Sequence, residues 1–206
     1  MPSDATFLEV KNAFQSIAGL ESLTSADEFF LLNSLNRAVY RAYNESDSWP
    51  RYLVVGEERS IVSDPVSTIP YAENTKDTIG EFLRVHRTQP FLRNSAIEFE
   101  FYVDSFGAHI LNLITQDAAS AFVTYKKQVT FNFTPDSTDI PLEFVDYIIY
   151  TALSDFYTGD GQAEKAVMAA GQAQLMLDSE LLRMDKNKNN NTINKRFSTY
   201  VSRQSR

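Results

Sequence analysis

The chain has 206 residues, enough for one domain with a real core or for two small ones. It contains no cysteine, which excludes a disulfide framework, a thiolate nucleophile and a cysteine-based metal site, and no run of about 18 apolar residues, which excludes a membrane-spanning helix. The net charge of −8 is unevenly spread: all 27 acidic side chains precede residue 186, leaving residues 1–185 at −14, while Lys186, Lys188, Lys195, Arg196, Arg203 and Arg206 bring residues 186–206 to +6.

The N-terminus, MPSDATFLEV, lacks a basic region followed by an apolar run, so no secretory signal is expected. Residues 4–18 predict a short helix with Phe7, Val10, Phe14 and Ile17 on one side. Ser25 followed by Glu28 has the spacing of a capping box, and a helix is expected from there to about Asn44. Its apolar stripe is Phe29, Leu32, Leu35, Val39 and Tyr43. Pro50 pushes Trp49 out of the helical region and ends the helix, and the single Trp is expected as a core anchor at its exit.

From Arg51 the pattern alternates. Strands are expected over 52–57, 59–63, 79–85, 97–103, 108–114 and 121–129, rich in β-branched and aromatic residues. Asp104-Ser-Phe-Gly107 reads as a hairpin turn, residues 63–78 with two prolines as a long loop, and residues 134–139 as a loop returning the chain to helix.

Two helices around a Gly-Asp-Gly turn are expected over 140–185, with Pro141 at the start of the first, where its missing N–H is harmless. In that helix only Glu143, Asp146, Tyr150 and Ser154 make a polar stripe; the rest is apolar and needs cover on most sides. In the second helix Ala163, Val167, Ala170, Leu177, Leu181 and Met184 recur at four and three spacing. Ala166, Ala169, Gly171 and Ala173 keep the neighbouring faces thin, so another backbone can approach. Residues 186–206, rich in Asn and Lys, read as an extended basic arm with a terminal aromatic clip of Phe197, Tyr200 and Val201.

The fold expected is therefore α+β. Residues 1–50 and 140–185 would form a helical bundle, residues 51–139 an inserted antiparallel β module, and residues 186–206 the arm.

Signs of catalysis are few. His86 and His109 stand alone in strands, outside any paired metal spacing, and are expected at the surface or half-buried. The sequence has no phosphate-binding Gly-rich loop and no Gly-x-Ser-x-Gly elbow. Asp155, Asp160 and Glu164 flank the Gly-Asp-Gly turn without the ligand spacing of a calcium loop, and helix capping by Asp160 accounts for them. A solvated strand face accounts for Glu57 with Glu58 and Glu98 with Glu100. No cofactor or metal is expected. RVHRTQPFLR, with Arg84, His86, Arg87, Phe91 and Arg93, makes a basic-aromatic patch, but the acidic body repels duplex DNA at long range.

Two stretches resemble a family. LLNSLNRAVYRAYNESDSWPRY, residues 31–52, is similar to the helix with a Trp-Pro exit of tailed-bacteriophage head-to-tail adaptors, the connector or head-completion proteins of the tail tubular protein A and gp4-like type. AFVTYKKQVTFNFTPDSTDIPLEFVDYIIYTALSDFYTGDGQAEKA, residues 121–166, resembles their strand, Ile-Pro helix start and Gly-Asp-Gly turn. Together they cover about a third of the chain; the β insert and the basic arm match only in kind. The resemblance implies a structural virion protein, not an enzyme. It would form a ring, a dodecamer, joining portal protein to tail or nozzle at the head–tail junction, with DNA passing through the lumen. The arm would dock on the portal through Lys186, Lys188, Lys195, Arg196, Phe197, Tyr200, Arg203 and Arg206. The alternatives are another tail-completion component, a nucleic-acid-binding protein or a hydrolase.

Overall fold

The computed structural model describes residues 4–63, 67–90, 97–111 and 119–204, with backbone alone for residue 63 and residues 186–204. The described residues make a mixed α+β protein with four α-helices and antiparallel sheets. It divides into a discontinuous unit, residues 1–46 with 131–206, and a continuous one, residues 47–130. No described helix is long and apolar enough to cross a membrane.

In the discontinuous unit, β1 (Asp4–Ala5) leads into α1 (Phe7–Ala18). Thr6 caps α1 through the amide of Glu9, whose carboxylate returns to Thr6 N. Helix α2 (Ser25–Asn44) is capped one residue earlier than expected, by Thr24 with Asp27 rather than Ser25 with Glu28. Glu28 is thereby left for an ion pair with Lys11 of α1. The buried face of α2 is Leu31, Ser34, Leu35, Ala38, Val39, Ala42 and Tyr43, so Phe29, expected in the stripe, points outward.

The chain re-enters this unit at Phe131. Residues 131–139, expected in the β insert, belong here because Asn36 clasps them. Its Nδ2 donates to the Phe133 carbonyl at 3.2 Å, and the Phe133 amide donates back to Oδ1 at 2.8 Å. Phe131 also meets the rings of Tyr40 and Tyr43 edge-on. Strand β9 (Ile140–Pro141) pairs with β1, and a 3-10 turn, Leu142–Phe144, precedes α3 (Val145–Gly159). Pro141 thus lies before the helical turns rather than in the first of them.

The apolar breadth of α3 is explained by its position. It packs against α4 (Ala163–Gln204), α2 and α1. Ile148, Ile149, Ala152 and Leu153 are buried, and Phe156 meets Phe14 of α1 edge-on. Asp155 of α3 accepts from Ser34 Oγ and from Arg37 Nη2 of α2, each at 3.0 Å.

In residues 47–130 the two strands expected over 52–57 and 59–63 are mostly one, β2 (Leu53–Ser60), followed by β3 (Val62–Ser63). Strand β4 (Ser67–Pro70) lies inside the expected loop. Then come β5 (Ile79–His86), β6 (Phe101–Val103), β7 (Gly107–Ile110) and β8 (Ser120–Lys127). The orders are β2-β8-β5 and β3-β4-β7-β6, all antiparallel. Residues 112–114, expected to extend β7, lie outside the described residues. Ile69, Ile79, Phe82, Val85, Ala108, Ile110, Ala121, Val123 and Tyr125 form the core of this unit. Trp49, at 1% exposure, is buried as expected of an anchor, and its carbonyl accepts from the amides of Tyr52 and Leu53.

Candidate functional site

Helix α4 carries the most unusual surface of the described residues. It starts from the Gly-Asp-Gly turn, where Gly161 takes φ 74°, a left-handed conformation that glycine tolerates without a Cβ clash. Asp160 accepts from Gln162 Nε2, and its amide donates to the Phe156 carbonyl, so the turn is closed by its own groups. Ser154 Oγ donates to the Ala166 carbonyl at 3.0 Å and ties α3 to α4.

The buried face of α4, which packs on α3, is Ala166, Ala169, Ala173, Leu177 and Met184. In its first half this is the thin, alanine-rich face rather than the expected stripe, since Ala163, Val167 and Ala170 are exposed; Leu177 and Met184 of that stripe are buried as expected. Small side chains win because they let α4 approach α3 closely, and close backbones maximise dispersion contact along the pair.

The displaced larger residues have a consequence. At 3.6 residues per turn, Met168, Gly171, Leu175 and Leu182 form a second stripe, about half a turn round from the buried face. Met168, Leu175 and Leu182 are 72%, 58% and 61% exposed. A helix on a monomer's surface normally keeps its outer side polar. This one is apolar on two opposite sides. Glu164, Asp178 and Asp185 line the outer stripe, and all three are exposed.

Helix α4 is also long. Its 42 residues reach about 63 Å, against about 22 Å for the 15 residues of α3. The arm expected to be extended is helical instead, because α4 continues to Gln204. After Gly171 no glycine or proline interrupts the chain, and Asn and Lys weaken a helix without breaking it once earlier turns have nucleated it. Of the expected portal-binding residues, Lys186, Lys188, Lys195, Arg196, Phe197, Tyr200 and Arg203 therefore occupy helical backbone. Their side chains lie outside the described residues, as does Arg206 altogether.

Two polar clusters of residues 47–130 were invisible in the sequence. Arg59 of β2 is fully buried. Its Nη2 donates to Tyr125 OH at 2.5 Å and to the Asp77 carbonyl at 2.6 Å, and pairs with Glu57 at 2.7 Å. Tyr125 OH donates to the same Glu57 carboxylate, and burial with that bond pushes the phenol up to about 12. Glu57 is thus a structural acceptor, not part of a solvated face. Cross-strand placement makes this cluster, and only the pairing of β2 with β8 reveals it.

His109 of β7 is the second centre. Its Nδ1 lies 2.8 Å from Thr68 Oγ1 of β4, and its Nε2 lies 2.8 Å from Asp104 Oδ2. Tyr102 stacks on the imidazole at 4.7 Å. Hydroxyl, imidazole and carboxylate in series have the order of a nucleophilic triad. Here Thr68 and His109 lie on paired strands and Asp104 in the turn between β6 and β7, where it is already engaged as the acceptor for Phe106 N and Gly107 N. The backbone amide of Phe106 and the adjacent imidazole hold the Asp104 carboxyl below its usual range. The string fastens the β6–β7 hairpin to β4. His86 is buried too, with Nδ1 4.0 Å from Glu98 Oε1. Both histidines are thus more enclosed than lone strand histidines are expected to be.

The remaining candidates do not converge. Arg84 pairs with Glu98 at 3.5 Å, while Phe91 and Arg93 of the basic-aromatic patch lie outside the described residues. Among the described residues no group of three His, Asp or Glu side chains is placed to hold a metal. No family model matches the sequence, and no curated protein matches it.

Proposed function

We propose that this chain is a structural virion component: a ring adaptor, of the head-to-tail connector type, that joins a portal to a tail or nozzle and lets DNA pass through its lumen. It acts without catalysis, and its place is the head–tail junction. The observation that carries the reading is α4, a helix longer than the elements it packs on, apolar on two opposite faces and cationic at its far end. Such a helix needs cover from outside its own chain. In this reading the four helices form a bundle, residues 47–130 are its β insert, and the copies close into a dodecamer. The basic end of the chain, residues 186–206, reaches the portal, where many copies engaging at once add avidity. The resemblance of residues 31–52 and 121–166 to head-to-tail adaptors supports the same conclusion.

The test is a size measurement by light scattering with and without the cognate portal. The expected result is a discrete ring on the portal. A monomer indifferent to the portal sinks the proposal. Removing residues 186–206 is expected to weaken docking while the remaining chain keeps its helical circular dichroism; docking that survives unchanged refutes the role of the basic end.

A further inference from the structure

Helix α2 also has a partly open outer face, on which Tyr40 touches the Phe131 ring edge-on and Arg37 is paired with Asp155 of α3. Phe29 is 68% exposed and Tyr40 47%, and with exposed Asn33, Arg37 and Arg41 they cover the outer side of the helix. Both α2 and α4 pack on α3. The outer face of α2 is aromatic and basic; the outer face of α4 is aliphatic and acidic, with Met168, Leu175 and Leu182 beside Glu164, Asp178 and Asp185. The apolar parts match in length, about 17 Å from Phe29 to Tyr40 and about 21 Å from Met168 to Leu182 along a helix axis. The outer face of Gly171 is open, leaving room beside Leu175 for an aromatic ring.

We infer that the occupant of the α4 face is a second copy of this chain, seated through the outer face of its α2. The charge signs favour this pairing over either face with itself. Two α4 faces would oppose carboxylates, and two α2 faces would oppose the Arg41 guanidinium groups, Arg37 being already paired with Asp155. An α2-on-α4 contact is head-to-tail, so a joined pair retains one free face of each kind, and the series closes into a ring when the rotation permits. The inference rests on the ring reading and names the surfaces that build the ring, as distinct from those that meet the portal.

The absence of cysteine gives a clean test. The full chain carrying both Phe29→Cys and Leu175→Cys, oxidised at high concentration without portal, is expected to give a ladder of covalent multimers. A mixture of the two single variants is expected to give a heterodimer. Arg41→Glu is expected to abolish the ladder, and adding Asp178→Arg to restore it. Thermal unfolding of each variant near the parent midpoint shows that the fold persists. A Leu175→Cys chain that cross-links mainly to itself, or a double variant that stays monomeric, overturns the α2-on-α4 contact. In either of those cases a portal-bound ring would leave the adaptor reading standing, so the two failures are distinguishable.

Discussion

Substituting Gly107 with alanine is expected to unfold residues 47–130 far more easily. Gly107 opens β7 with φ 146°, and a Cβ there would lie 2.0 Å from the Ile69 carbonyl oxygen and 2.9 Å from its carbon. Both neighbours are backbone, so relief requires β4 to move away by about 1 Å or more. That movement disturbs the register Thr68↔His109, Ile69↔Ala108 and Pro70↔Gly107. The dihedral strain is of order 1–3 kcal/mol. Two weakened ladder hydrogen bonds add about 1 kcal/mol each. Partial exposure of Ile69 and Ala108, both fully buried, adds about 1 kcal/mol. The total, about 4–6 kcal/mol, is a large share of the roughly 5–15 kcal/mol that holds an ordinary domain. Guanidinium unfolding followed by the fluorescence of Trp49, the single Trp and a buried member of this unit, reads the effect directly. A midpoint lowered by about 1 M is expected for a slope typical of a small unit. A variant within 1 kcal/mol of the parent would refute the steric argument.

Other substitutions separate further causes. Gly171→Ala puts a methyl group into open space on α4 and is expected to raise stability by about 0.5–1 kcal/mol in thermal unfolding. Tyr125 is protonated in the folded state up to about pH 12, above the ordinary phenol near 10. Its contribution is therefore complete below pH 10 and lost between pH 10 and 12, and Tyr125→Phe is expected to flatten that limb of a stability–pH curve. Asp104 works in the opposite sense. Its carboxyl is held below the ordinary 3.8, so its contribution is present above that pH and lost as pH falls through the lowered value. Asp104→Asn is expected to remove this acid-sensitive part, read as the pH dependence of near-ultraviolet dichroism.

The sequence was most legible where one signal dominated. Helix α2 ends at Asn44 as expected, and Pro50, by keeping Trp49 out of the helical region, stops the chain from continuing it far beyond. The Asp104–Gly107 turn joins β6 to β7 as expected, because Asp104 supplies the acceptor that the turn amides need. It was least legible where small residues do the packing. The buried face of α4 is mostly alanine, so hydrophobicity drew the stripe through Val167 instead of Ala166 and Ala169. Composition misread residues 186–204 for a related reason: Asn and Lys predict no core, but a helix continued from a nucleated segment needs none. Strand β4 was hidden by Pro70, tolerated at the strand's last residue. The buried cluster of Arg59, Glu57 and Tyr125 depends on which residues face each other across β2 and β8, and no local pattern carries that information.

The interleaving of the two units has a consequence for how the chain is made. On a ribosome, residues 47–130 emerge as one uninterrupted stretch and can fold as soon as they clear the exit tunnel. Helices α1 and α2 emerge first but have no α3 to cover Val10, Phe14, Leu31 and Leu35 until the insert is finished. The nascent chain therefore carries a folded unit while the helices made just before it still wait with their apolar faces uncovered. Synthesis of Val145–Gly159, after the insert, is the step that ends that wait.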